Sequence, residues 1–109
     1  MANQSLPIEP MFAALGDPTR LSVVERLGRG PASVSDLAGN YAMALPSFLK
    51  HLKQLEASGL IRTEKQGRVR TCTLEPLALT AVDRWIAERR RDASARLDRL
   101  GAYLDRQET

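Results

Sequence analysis

The architecture of this chain is set by one segment, residues 45–59, which reads LPSFLKHLKQLEASG. Placed at about 100° per residue, its large apolar side chains fall together on one side of a helix. They are Leu45, Phe48, Leu52 and Leu55. The opposite side carries the polar residues Ser47, Lys50 and Gln54. This pattern predicts an amphipathic helix that is anchored on one side and offers a small polar surface on the other.

Three shorter helices are predicted ahead of this segment. The first has apolar residues at helical spacing, namely Ile8, Met11, Phe12 and Leu15. The second begins at Asp17-Pro18, because an N-cap acceptor followed by proline is a typical helix start. Its expected buried residues are Leu21, Val24 and Leu27. Ser33 caps the third, and a short turn over residues 41–44 joins that helix to the next, as in a helix-turn-helix.

The pattern changes after Gly59. Residues 60–65 and 69–74 are rich in β-branched side chains, and they flank Gln66-Gly67-Arg68, which predicts a β-hairpin. One helix over residues 77–105 follows, and at 1.5 Å per residue it would be about 43 Å long. Its apolar stripe needs another surface, and a second copy of the chain is the simplest candidate.

These elements predict a mainly α fold with a small β-hairpin, a winged helix-turn-helix of about five helices. We expect residues 1–7 to form a flexible tail and residues 8–106 to form the domain. The apolar residues of the first and last helices that a partner subunit could contact are Met11, Phe12, Leu15, Val82, Trp85, Ile86, Ala93, Leu97, Leu100 and Leu104.

Positive charge is concentrated in residues 44–70. This window holds six basic residues and two acidic ones, although the whole chain has a net charge of only +3. Such a patch suits a polyanion, and the major groove of duplex DNA admits one helix. The expected DNA contacts are Ser47, Lys50, His51, Lys53, Gln54, Arg62, Lys65, Arg68 and Arg70. The alternatives are a solvated helix surface and a charged hairpin edge that prevents aggregation.

Two single residues receive their own interpretation. His51, the one histidine of the chain, lies on the flank of its helix and is expected to make a structural hydrogen bond or a phosphate contact. Cys72 shares the strand parity of Leu74, so its thiol is expected to pack in the core. A redox or metal-sensing role for Cys72 is the alternative.

Several classes of protein are not indicated. One cysteine cannot form an internal disulfide, no apolar run approaches the roughly 20 residues of a membrane span, and no signal peptide is visible. A cytoplasmic location without membrane contact follows as an expectation. The sequence contains no phosphate-binding glycine loop, HExxH or GxSxG motif, so an enzyme is not expected.

Three motifs in order resemble the ArsR/SmtB family of winged-helix regulators. They are FAALGDPTRL at residues 12–21, MALPSFLKHLKQLEASGL at 43–60 and GRVRTCTL at 67–74. The resemblance covers about residues 8–104. It implies a homodimeric repressor that dimerises through its first and last helices, with the apolar residues named above as the dimer contacts. Its two recognition helices would enter successive major grooves of a palindromic operator, and an inducer, often a metal ion, would lower its DNA affinity.

The chain departs from that family at its metal sites. Ser33 and Ser35 stand where the metal-binding members carry a cysteine pair, and no histidine lies between Leu77 and Thr109. Resemblance to the non-metal branch therefore predicts no metal and no cofactor, with an unknown small molecule or protein as a possible effector. Ala44 also replaces the usual serine cap of the recognition helix, at a cost of about 1 kcal/mol.

Two alternatives to the repressor without metal remain at the level of sequence. One is a thiol- or metal-responsive repressor that uses Cys72. The other is a winged-helix module that binds proteins instead of DNA, because a fold alone does not settle function.

Overall fold

The computed structural model describes residues 7–107 and confirms the predicted winged helix-turn-helix. Its elements in chain order are α1 (Ile8–Leu15), α2 (Pro18–Leu27), β1 (Ala32–Ser33), α3 (Val34–Ala38), α4 (Leu45–Ala57), β2 (Ile61–Gln66), β3 (Val69–Leu74) and α5 (Pro76–Gln107). The expected tail of residues 1–7 lies outside the described residues except for Pro7, which precedes α1.

The core confirms most of the predicted buried side of α4. Phe48, Leu52 and Leu55 are buried there, whereas Leu45 is 53% exposed, so the prediction for Leu45 was wrong. Leu45 is the first residue of α4, and helical side chains tilt towards the N-terminus of their helix. Its side chain therefore points back beyond the first turn instead of into the core.

The buried side of α2 is also shifted from the prediction. Asp17 accepts a hydrogen bond from the Arg20 amide at 3.0 Å, which confirms the predicted start of this helix. Val23, Val24 and Leu27 form the buried arc, whereas Leu21 is exposed. On a helical wheel Leu27 lies at the centre of that arc, with Val23 on one side and Val24 on the other, and Leu21 lies beyond Val24.

The sheet has three strands, in the order β1-β3-β2, and both pairings are antiparallel. The hairpin of β2 and β3 was predicted, and Gly67 opens its two-residue turn with a positive φ of 62°. The short strand β1 was not predicted. It places Ala32 opposite Cys72, and Cys72 is fully buried, as its strand parity predicted.

The last helix extends far beyond the body of the molecule. Ala78 is buried and Ala81 and Val82 are half-buried, whereas all side chains of residues 88–107 are exposed. The Cα radius of gyration is 19.6 Å, compared with the roughly 13 Å of a compact domain of this length. The helix has 32 residues, slightly more than predicted, and spans about 48 Å.

Candidate nucleic-acid interface

Two of the predicted DNA-contact residues, Ser47 and Lys50, are exposed in the N-terminal half of α4. Ala44 occupies the N-cap position, and its methyl group offers no acceptor to the first turn. Pro46 lies in that turn and has no N–H group, so one donor fewer needs a partner there. Within residues 7–107, no side chain caps the remaining amides of the first turn.

The rest of the predicted α4 surface divides into two parts. Lys53 is exposed on the side of the hairpin, where it lines a groove with Arg70. His51 and Gln54 lie on the other side, where both accept hydrogen bonds from the Arg20 guanidinium of α2. Gln54 was predicted to share the exposed polar side of α4 with Lys50. It is exposed, but its side-chain amide is bonded to Arg20 of α2.

A groove of about 330 Å³ separates α4 from the hairpin. Its lining residues are Val34, Leu49, Leu52, Lys53, Glu56, Thr63 and Arg70. The Thr63 hydroxyl donates to the Glu56 carboxylate at 3.1 Å and accepts from Arg70 Nη1 at 3.0 Å. These two bonds connect α4 to β2 and β3, and they hold the Arg70 side chain on the α4 side of the hairpin.

The basic residues of the hairpin do not share one surface. Lys65 pairs directly with Arg70 across the strands, so the two side chains lie on the same side of the sheet. Arg68 lies in the exposed turn. Arg62 has the opposite strand parity and forms an ion pair with Glu75 at 3.0 Å, near the base of the hairpin. Arg70 thus lines the groove with Lys53, Lys65 shares its side of the sheet, Arg68 lies in the turn, and Arg62 lies apart.

The pKa values of Asp17 and Cys72 are shifted from their ordinary values. The Arg20 amide, which donates to the Asp17 carboxylate at the start of α2, holds the pKa of that carboxyl below its usual value. Burial raises the pKa of the Cys72 thiol, and this disfavours the thiolate that oxidation and metal binding require. The environment of Cys72 is therefore that of a packed core residue.

One of the two serines at the positions that the resemblance associates with metal binding has a structural role. Ser33 caps α3, because its hydroxyl accepts from the Asp36 amide at 3.0 Å. Among residues 7–107, no group of three histidine, cysteine, aspartate or glutamate side chains is arranged to hold a metal ion. The helices within the same range are all too short or too polar to cross a membrane.

The residues predicted for dimer contact occupy different environments. Met11 is fully buried within its own subunit, so its side chain cannot reach a partner and that prediction was wrong. The reason is that α1 directs Met11 and Ala14 into the core. Leu15 and Val82 are half-buried. The predicted residues that remain exposed are Phe12, Trp85, Ile86, Ala93, Leu97, Leu100 and Leu104.

Sequence reasoning did not assign a role to four residues that the structure brings into these surfaces. Arg20 contacts α4, Glu56 and Thr63 connect α4 to the hairpin, and Tyr103 is a further exposed aromatic residue near the apolar stripe of α5. Arg20 is 31 residues from His51 and 34 from Gln54 along the chain. No periodicity within a helix could have revealed contacts over such separations.

Comparisons with known proteins agree with this geometry. Residues 15–64 match the family described as a helix-turn-helix domain. The chain is 38% identical over 71 residues to the HTH-type transcriptional regulator Rv2034 of Mycobacterium tuberculosis, covering 65% of this chain and 66% of that protein. It is 26% identical over 76 residues to the transcriptional repressor SdpR of Bacillus subtilis, covering 70% and 84% of the two chains.

Solved structures extend the likeness over most of the chain. The ArsR family transcriptional regulator RHA00566 is 55% identical with a TM-score of 0.76, and the match covers 80% of this chain and 90% of that one. An ArsR-like transcriptional regulator from Rhodococcus sp. RHA1 is 30% identical with a TM-score of 0.75, over 85% and 88% of the two chains. This chain therefore belongs to the ArsR family of winged helix-turn-helix, DNA-binding transcriptional regulators.

Proposed function

We propose that this chain is a homodimeric repressor that binds a palindromic DNA duplex, with α4 in the major groove and the hairpin along the neighbouring phosphates. One observation carries the proposal: Lys53 of α4 and Arg70 of β3 line the same groove from opposite sides. Ser47 and Lys50 are further exposed polar residues of α4, Lys65 lies on the same side of the sheet as Arg70, and Arg68 lies in the exposed turn.

Electrostatics favours a polyanion at this surface. Lys65 and Arg70 are directly opposite each other in the antiparallel hairpin, an arrangement in which like charges repel. Phosphates lying between these cations would relieve that repulsion, and the release of counterions from DNA would add a salt-dependent gain in affinity. Leu49, which is exposed at the same groove, offers an apolar contact for a thymine methyl group.

Two subunits are required for a palindromic site, and α5 offers the surface for pairing. Ile86, Ala93, Leu97, Leu100 and Leu104 follow one another at intervals of three, four or seven residues along its exposed length. The Phe12 and Trp85 rings pack edge to face, with centroids 5.2 Å apart. This pair joins α1 to the start of the α5 stripe, so that both helices contribute to one apolar surface.

The proposal that this regulator represses transcription follows its relatives. SdpR of Bacillus subtilis is a transcriptional repressor and aligns with 70% of this chain. A bound dimer excludes RNA polymerase wherever its operator overlaps a promoter. The residues at the usual metal positions, Ser33 and Ser35, favour a signal other than a thiophilic metal, because hydroxyl groups do not replace thiolates towards soft ions.

The test begins with selection of bound duplexes from a random pool, followed by fluorescence anisotropy on the selected sequence. We expect a palindromic site, two subunits per site, and a plot of log affinity against log salt whose slope becomes less steep by about one in Lys53→Ala and in Arg70→Ala. Arg91→Ala is the matched control, because it removes the same charge from the protruding part of α5 and should leave the slope unchanged.

Two results would contradict this function. One is a failure of the wild-type dimer to bind any duplex at low ionic strength. The other is equal loss of binding in Arg91→Ala and Lys53→Ala, which would indicate attraction by net charge alone instead of a defined interface.

A further inference from the structure

Arg20 connects three helices through one guanidinium group. Its Nε donates to the Ala14 carbonyl at 2.8 Å and its Nη2 to the Ala13 carbonyl at 3.4 Å, both in the last turn of α1. Its Nη1 donates to Gln54 Oε1 and lies 3.1 Å from His51 Nδ1, both on α4. Arg20 itself belongs to the first turn of α2.

The chemistry of this contact favours a fixed geometry. The last carbonyls of a helix have no partner within the helix, so Ala13 and Ala14 are natural acceptors for a cation. His51 and Gln54 are three residues apart and therefore lie on neighbouring turns of one side of α4. A planar guanidinium holds its donors in a rigid fork, so satisfying both groups at once restricts how α4 can rotate or shift relative to α1.

We propose that Arg20 is a positioning residue that locks the recognition helix α4 to the end of α1, so that the helix at the dimer interface determines the angle at which α4 meets DNA. This inference rests on the proposed function, in which α4 binds DNA and α1 helps to pair the subunits. His51 and Gln54 are then structural partners of Arg20, and sequence is read by the α4 residues on the hairpin side.

The contact with Arg20 also indicates which nitrogen of His51 accepts. A guanidinium only donates, so a hydrogen bond across the 3.1 Å contact requires Nδ1 as the acceptor and the ring proton on Nε2. A protonated ring has N–H groups at both positions and loses this bond. The charged groups that face the ring are Arg20 and Asp17, whose Oδ2 lies 3.8 Å from Nδ1, and α1 contributes only the carbonyls that bind Arg20.

The first experiment compares Arg20→Ala with the wild type on the selected duplex. We expect affinity to fall about tenfold, because hydrogen bonds to a charged group are lost. The salt slope should stay unchanged, because no phosphate contact is removed. Sedimentation should still give a dimer. Arg26→Ala is the matched control: it removes the same charge and a comparable bond to a backbone carbonyl, that of Gly30 in the loop after α2, and this bond does not involve α4.

Three further variants keep the test valid if Arg20→Ala fails to fold. Gln54→Met removes one acceptor from a residue of similar size and helix propensity, and it should weaken binding while leaving the melting temperature close to that of the wild type. His51→Asn should retain near wild-type affinity, because the asparagine Oδ1 occupies about the position of Nδ1 and also accepts. His51→Leu should weaken binding.

A pH titration of DNA affinity supplies a signature that a purely structural residue would not give. Histidine is the side chain that ordinarily changes charge between about pH 5 and pH 8. If Nδ1 accepts from Arg20, wild-type affinity falls on acidification and the profile of His51→Asn is flat. If His51 instead contacts a phosphate, protonation strengthens binding and the sign is reversed.

The outcomes separate this inference from the proposed function. Absence of duplex binding by the wild type would overturn the proposed function. Wild-type binding with unchanged affinity in Arg20→Ala and Gln54→Met, or a decrease in salt slope equal to that of Lys53→Ala, would overturn the positioning role alone. Affinity that rises with acidification would overturn it as well.

Discussion

At the scale of single residues, Cys72 shows how tertiary packing can suppress the reactivity that a side chain has in water. Cys72 is the one thiol, and isolated thiols in regulators invite a redox interpretation. Here Cys72 is fully buried in β3, between Ala32 and Thr63 of the neighbouring strands, and burial raises the pKa of its thiol. Both properties oppose oxidation.

We therefore expect Cys72 to be inert in the native protein. An aromatic disulfide reagent should label it only as fast as the structure opens, and much faster once urea has unfolded the chain. Absorbance of the released thiolate measures both rates. Labelling of the native dimer at the rate of the unfolded chain would contradict this expectation and would favour a sensor role for Cys72.

At the scale of elements, α4 is well packed against the core but lacks a side-chain cap at its N-terminus. Phe48, Leu52 and Leu55 bury one side, and stacking of Tyr41 on Phe48, with ring centroids 5.1 Å apart, fastens the preceding turn. Ala44, by contrast, leaves amides of the first turn without a side-chain acceptor. Phosphate oxygens are good partners for such amides when a helix N-terminus enters a groove.

We expect Ala44→Ser to stabilise the free protein by about 1 kcal/mol, because Ala44 already has the extended backbone of an N-cap, with φ −64° and ψ 145°. Urea unfolding of the two proteins measures the difference. Ala57→Ser is the control at the other end of α4, where a hydroxyl cannot cap the first turn and should cost a few tenths of a kcal/mol. Equal effects at both positions would contradict the capping argument.

The hairpin shows what local pattern predicts and what it misses. Alternating β-branched residues around Gly67 predict β2 and β3, because the residues of a tight turn themselves determine its geometry. The partner strand β1 is two residues long and follows the turn after α2. It forms because α3 and the hairpin bring Ala32 beside Cys72, and no two-residue pattern carries that information.

On the scale of the whole molecule, the shape is governed by a helix that the single subunit does not bury. The longest dimension is 73 Å, in contrast to 38 Å and 21 Å for the other two, because α5 projects from the body. Leu97, Leu100 and Leu104 are each more than half exposed along this projection. Apolar side chains aligned on one side of a helix gain most from a matching partner.

We expect the double variant Leu97→Glu, Leu100→Glu to be monomeric, because each paired glutamate would place a charge in an apolar seam. Sedimentation equilibrium measures the change, and operator affinity should fall with it. Ala102→Glu is the control, since it adds a carboxylate to the opposite side of the same helix. A double variant that remains dimeric at micromolar concentration would place the subunit contact elsewhere.

Local pattern was sufficient for the helices and the hairpin, to within a residue or two at their ends, but not for β1. Helical spacing, the Asp17-Pro18 start, the Ser33 cap and the Gly67 turn act between residues a few positions apart, so they can be recognised without a partner. Other features depend on side chains more than ten residues apart. They are the ion pair that holds Arg62 away from the other hairpin cations and the hydrogen bonds of Arg20 to His51 and Gln54. Packing alone brings such residues together, and it therefore determined which parts of α4 and the hairpin form one surface.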